Sequence, residues 1–455
     1  MAPARAYLGI PYATAARFER PKPVTTATDF ERCTAFGPAA PQRPGLNVVP
    51  ECPVGPTDER ACLTLNVWTP AGAHDPERKP VLVWFHGGSF VTGSSAQRCF
   101  DGTRLAVEHD VVVVTANYRL GALGFLDLRT LGGDVANLGL HDAIEALRWV
   151  QANIESLGGD PERVTIFGES AGGGVCLHLL ASAATRHLFA SAIVQSGVTN
   201  YTLVADRAAL VADALCRAAG VTNLAGLRAL PVDAVLDAQD AAGPTLLQSV
   251  GMMPFHPCVD DDLLRAKPAD ALAAGVAAGV PLVAGSTADE MRLFLDPNPP
   301  PIDRDRLVRR VGRYVGVDEQ QAETILATYE READGVWSAL FSDVEMLLPL
   351  RRVLEAQARH APTYAYLFTW EAPAIGAAHA VDIPFTFGNF VDGWDAFVGY
   401  DANAERLSHE MRDAWAAFAR DHDPGWPGYP ATRVFGRDSY VADRHPLYGR
   451  LPVGA

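Results

Sequence analysis

The sequence predicts an α/β fold in which a mostly parallel central sheet carries helices on both faces. Three observations support this: short continuous β-branched runs, helical stripes between them, and a strand that turns through Gly168 to Gly172 into a small-residue helix start. The runs are Val81 to Phe85, Val111 to Thr115, Val164 to Phe167, Ala192 to Gln195, Pro281 to Ala284 and Tyr364 to Phe368. None alternates apolar with polar residues, so each reads as a strand buried on both faces. In Asp142 to Glu155, residues Ile144, Leu147, Val150 and Ile154 recur at three- and four-residue steps, the stripe of a helix lying on a sheet. Leu407, Met411, Trp415 and Phe418 repeat the pattern near the end, and Pro424-Gly425 stops that helix. Ala271 to Gly285 reads as a helix followed by a buried strand. Two stretches fit the sheet rhythm poorly: the Ala-rich Val204 to Ala269, and Asp296 to His360, which opens on Asn298-Pro299-Pro300-Pro301. Both read as helical insertions over the sheet within a single domain spanning residues 1–455.

Composition narrows the function. With 48% hydrophobic and 20% charged residues the chain buries a large core and is not disordered. Its net charge of -16 repels phosphate backbones and anionic lipid headgroups, so nucleic acid is not an expected partner. No run approaches the roughly 18 apolar residues of a membrane span, and the start lacks the layout of a secretory signal. Seven scattered cysteines, an odd number without any C-x-x-C, argue against a disulfide framework and a zinc ribbon. No membrane insertion and a cytoplasmic location are the resulting expectations.

The chemistry starts at Gly168-Glu169-Ser170-Ala171-Gly172, a G-x-S-x-G between a strand and a helix. Such an elbow pushes the Ser170 hydroxyl out at the strand's carboxyl end, and glycines stand where side chains would collide with neighbouring backbone. A serine nucleophile needs donors for the oxyanion it creates. His86-Gly87-Gly88-Ser89-Phe90, directly after an earlier strand, offers exposed backbone N–H groups that join the amide of Ala171. The base is expected at His379, in a loop after the last strand, following the chain order serine, acid, histidine of the α/β-hydrolase fold. His86 lies too near the oxyanion turn, and His422 follows the terminal helix. For the acid, Asp289 and Glu290 are nearly tied on spacing.

With these residues the chain resembles the type-B carboxylesterases, the cholinesterase-like α/β-hydrolases that include bacterial para-nitrobenzyl esterases. The resemblance runs nearly end to end. It rests on Gly9-Ile10-Pro11-Tyr12-Ala13 with Arg17-Phe18, Cys62 to Pro70, His86 to Phe90, Asn117-Tyr118-Arg119, Gly158 to Pro161, Phe167 to Gly173, Gln195-Ser196-Gly197 and His379 to Gly388. It implies a triad of Ser170 as nucleophile, His379 as base and Glu290 as acid, and so breaks the tie. It also implies an oxyanion hole at Gly88, Ser89 and Ala171, with Glu169 and Ser196 as supporting polar groups.

The departures from that pattern are informative too. Members usually show Glu-Asp-Cys where this chain has Arg60-Ala61-Cys62, which removes the expected acidic partner of Arg17. Secreted members pair that cysteine with one in a segment that here reads Gly37-Pro38-Ala39-Ala40-Pro41, so Cys62 is expected to be free. Members also carry strands ahead of the Gly9 motif, and only eight residues precede it here, which implies a truncated start or a trimmed edge. Ser89 stands where Gly or Ala is common, and Met291 where Gly is.

The function implied is serine-dependent hydrolysis of a small-molecule carboxylic ester. A non-catalytic binding protein on the same fold and an amidase using the same triad are the alternatives. Phe90, Phe255, Phe294, Trp337 and Phe341 are candidates for an apolar pocket wall. No metal or dinucleotide motif appears, and no cofactor is expected. Activity is expected to fall below about pH 6.5, where an ordinary histidine is protonated.

Overall fold

A computed structural model describes residues 4–25, 29–43, 53–70, 77–197, 200–295, 303–329, 336–391 and 393–450. Ten strands form one sheet: β1 (Arg5–Pro11), β2 (Thr64–Thr69), β3 (Lys79–Phe85), β4 (Val112–Ala116), β5 (Gly159–Glu169), β6 (Ser191–Gln195), β7 (Leu282–Thr287), β8 (Thr363–Phe368), β9 (Thr432–Phe435) and β10 (Tyr440–Ala442). Their spatial order is β1-β2-β4-β3-β5-β6-β7-β8-β9-β10. The block from β4 to β9 is parallel throughout, and β1, β2 and β10 add antiparallel edges. The fold is the α/β-hydrolase fold. All six strands read from continuous apolar runs are present; β9 and β10 follow the last of those runs and are too short and mixed to signal themselves.

Burial on both faces explains those runs. Val81, Val83 and Phe85 of β3 enter one core with Ile144, Leu147, Val150 and Ile154, whereas Leu82 and Trp84 enter the other with Leu407, Met411, Trp415 and Phe418. The first set lies on α1 (Leu138–Asn153) and its continuing turn, beside α2 (Ala171–Leu180). The insertions are helical in part: in the first, residues 247–267 run as turns and irregular chain, contrary to the helical reading of the whole stretch. They contain α3 (Ala205–Ala219), α4 (Val232–Leu246), α5 (Arg304–Val315), α6 (Glu319–Tyr329), α7 (Val336–Ser342) and α8 (Leu348–Gln357). The proline cluster at 298–301 lies outside the described residues. The second stripe lies on α9 (Ala402–Asp421), which Asp401 caps by accepting the N–H groups of Asn403 and Ala404; its chain leaves through a left-handed His422 before Pro424.

Two motifs of the first two hundred residues prove to be joints. Tyr12 at the end of β1 donates its hydroxyl to Asn117 O at 2.7 Å, and Arg119 forms a fully buried bidentate pair with Asp142 of α1, each bond 2.7 Å. Arg17 has an acidic partner after all: Glu59, one residue before Arg60, takes its guanidinium at 2.5 and 2.6 Å. The carboxylate has moved along the loop, a shift that position-by-position reading misses. Cys62 is a buried free thiol. Among the described residues no helix is long and apolar enough to cross a membrane.

Candidate active site

The elbow is built by close backbone packing. Ser170 caps α2 with φ 57° and ψ -123°, an unfavourable conformation for a side-chain-bearing residue. A Cβ on Gly172 would stand 1.9 Å from Phe85 O, so only glycine lets α2 start this close to β3. Ser170 N–H donates to Gln195 O at 2.9 Å, which pins the turn to the end of β6.

The turn after β3 is left-handed at three successive residues, with φ 112° at Gly88, 55° at Ser89 and 60° at Phe90. Gly88 is required there, because a Cβ would meet Thr92 O at 2.2 Å. No hydrogen bond runs from the N–H of Gly88 or Ser89 to another described residue, and Ala171 N–H opens α2, where a helix has no internal acceptor. His86 is spent structurally: it is buried, stacked on Tyr118 with ring centroids 4.6 Å apart, and its Nδ1 lies 2.8 Å from Gly87 O.

His379 sits in the loop after β8, buried, with Nδ1 2.5 Å from Glu290 Oε2. Glu290, not Asp289, meets the ring. Its other oxygen accepts Ser196 Oγ at 2.5 Å and Thr287 N–H at 2.8 Å, so three donors fix the carboxylate. The Nε2 edge of His379 lies 3.2 Å from Glu169 Oε1, hence against the residue preceding Ser170. The structure thus gathers Glu169, Ser196, Glu290 and His379 at the carboxyl ends of β5, β6 and β7, beside the elbow.

Sequence reading missed one group, Asp382, three residues after His379. It is fully buried, its Oδ2 accepts Gln195 Nε2 at 2.9 Å, and its Oδ1 has no partner among the described residues. An acid close behind the histidine was the available signal. Burial pushes Asp382 up to about 6, against the Gln195 hydrogen bond. Burial likewise pushes Glu169 up to about 8, with His379 opposing. For His379 burial alone would lower the pKa, but the carboxylates of Glu169 and Glu290 outweigh it and push the imidazole up to about 9.

The aromatic candidates divide. Phe90 and Phe255 are core residues, and Trp337 packs with Phe341 at 5.0 Å among the helices of the second insertion. Phe294 stands against the base, half-exposed with its ring 5.2 Å from His379. Elsewhere, Glu108, His109 and His409 bring ligand atoms within 4.8 Å of one another. There the Arg412 guanidinium already donates to Glu108 Oε2 at 2.7 Å and to His109 Nε2 at 3.4 Å, supplying the positive charge.

Residues 1–437 match the model of the carboxylesterase family. The chain is 34% identical to a para-nitrobenzyl esterase of Bacillus subtilis over 92% of its own length and 88% of that protein's. It is 31% identical to a phenmedipham hydrolase of Pseudarthrobacter oxydans, over 95% and 89%. A solved carboxylesterase of Geobacillus stearothermophilus superposes with a TM-score of 0.86 at 35% identity, covering 98% of this chain and 95% of the other. Motifs, sheet order and full-length similarity agree: this chain belongs to the carboxylesterase family and is a carboxylic ester hydrolase.

Proposed function

We propose that the enzyme hydrolyses esters through an acyl-enzyme on Ser170, with His379 as general base and Glu290 as its orienting acid. The observation that carries this reading is the buried Glu290–His379 contact beside a strained serine elbow. Glu290 holds the Nδ1–H tautomer, which leaves Nε2 to take the Ser170 proton. Ser170 Oγ attacks the ester carbonyl, and the N–H groups of Gly88, Ser89 and Ala171 receive the oxyanion. His379 then protonates the leaving alcohol, and water repeats the cycle on the acyl-enzyme. Ser196 positions Glu290, and Glu169 stabilises the imidazolium from its other edge. Phe294 beside His379 supports an apolar substituent on the ester. The parts of the helical insertions that meet the site serve as pocket walls within one catalytic unit, as α7 does where Ser342 accepts the N–H of Met291, next to Glu290. The direct test is a fluorophosphonate ester: it should inactivate the enzyme stoichiometrically and add its mass to the Ser170 peptide. Inactivation with the label on any other residue would remove Ser170 from the reaction.

The two flanking carboxylates shift the expected pH dependence. A base must be neutral to act, so raising the His379 pKa moves the acid limb of kcat/KM above the 6.5 of an ordinary histidine, toward about 9. Glu169→Gln removes one of the raising charges. The variant's limb should therefore lie at lower pH than the parent's, giving it a larger fraction of its own plateau near neutrality. Superimposable pH profiles would show that Glu169 does not sense the imidazole charge.

A further inference from the structure

Helix α5 carries a concentration of positive charge that the rest of the chain does not share. Residues 303–317 hold five arginines against two aspartates, in a chain whose net charge is -16. Arg306, Arg309, Arg310 and Arg313 follow the i, i+3, i+4, i+7 spacing of one helix face, a row roughly 10 Å long. All four are exposed, while Val308 and Val311 on the opposite side are buried against α6 and α7. Acidic residues are in surplus overall, yet no described carboxylate pairs with Arg309, Arg310 or Arg313. Among the described residues Arg306 has only Asp303, at 3.9 Å. Arg310 lies over the half-buried Trp337 ring at 4.6 Å, and Arg313 Nε turns back to Arg309 O at 3.3 Å. Arg306, Arg309, Arg310 and Arg313 line a shallow cleft of about 290 Å³, and Arg309 and Arg313 also border a second of about 580 Å³, whose lining also carries Asp318 and Glu319.

Four like charges on one face repel one another, and a sheet of phosphate oxyanions relieves that repulsion. We propose that the outer face of α5 docks this enzyme on an anionic phospholipid surface. A flat array of headgroups matches a straight row of arginines, and each guanidinium can take a phosphate through paired N–H bonds. The net negative charge of the chain does not forbid this, because at physiological salt charges beyond about 8 Å are screened and the local patch decides. It does fix orientation: the arginine face turns to the membrane and the acidic body away.

The test is co-sedimentation with vesicles of phosphatidylcholine alone and of phosphatidylcholine with phosphatidylglycerol at about 3:1, at low salt and at about 0.3 M salt. The intact enzyme should bind only the anionic vesicles, and salt should release it. Arg309→Gln with Arg313→Gln should weaken that partition by roughly 30-fold while hydrolysis of a soluble ester stays unchanged. Equal binding to both vesicle types, no binding to either, or anionic-vesicle binding unaffected by the double variant would each overturn the proposal. So would saturable binding of inorganic pyrophosphate without vesicle binding, which would make the face a site for free anions.

Discussion

Ser170→Ala is expected to lower kcat on a soluble carboxylic ester by roughly 10⁶-fold, leaving the slow hydrolysis that an oxyanion hole and binding alone provide. The magnitude follows from losing the covalent step altogether: without Oγ no acyl-enzyme forms, and water must attack unassisted by a positioned alkoxide. The substitution isolates chemistry from folding. Alanine keeps the same Cβ at φ 57°, the turn's N–H to Gln195 O is a backbone bond, and the glycine packing against Phe85 O is untouched. Thermal unfolding should therefore match the parent within the small shift of a lost hydroxyl. A variant that folds like the parent and turns over esters within tenfold of it would end the Ser170 assignment.

Glu290→Gln is expected to cost roughly 10⁴-fold in kcat, the size of effect seen when a triad acid becomes its amide. Both oxygens of Glu290 face donors: Ser196 Oγ and Thr287 N–H on one, His379 Nδ1 on the other. An amide has only one acceptor oxygen, so one side must confront an NH₂ group. If NH₂ faces His379, the ring takes the Nε2–H tautomer and cannot accept the Ser170 proton. If it faces Thr287 and Ser196, the Ser196 hydroxyl can turn to accept from it but the Thr287 N–H opposes it in a buried site, and the side chain is pushed from place. Asp289→Asn should leave kcat within a few-fold, because Asp289 does not touch the imidazole. Steady-state kinetics of the two variants at one pH decide the matter, and a larger loss for Asp289→Asn would exchange their roles.

Much of this was legible in the chain itself. Continuous apolar strands specify a sheet covered on both faces, because alternate residues such as Val83 and Trp84 must each find a core. The elbow was legible for a similar reason: Gly168, Gly172 and Gly88 are demanded by backbone contacts that a Cβ would violate, and such demands leave a local mark. Position along the strand order then pointed to His379, and resemblance selected Glu290 over Asp289.

What the chain alone did not reveal depends on distances between segments far apart in sequence. Arg17 meets Glu59 because the chain ahead of β2 returns to it from 42 residues away in sequence, and no local pattern records that return. Glu169 approaches the imidazole from one side and Glu290 from the other, with Asp382 buried close behind, and only their convergence raises His379 above an ordinary histidine. Sequence by itself determined the strands, the strained turns and the residue types able to do the chemistry, since those follow from local sterics and periodic burial. Tertiary structure decided that Glu169 also reaches the imidazole and where its pKa moves, because electrostatic energy depends on separation and burial, and neither quantity is written in residue spacing.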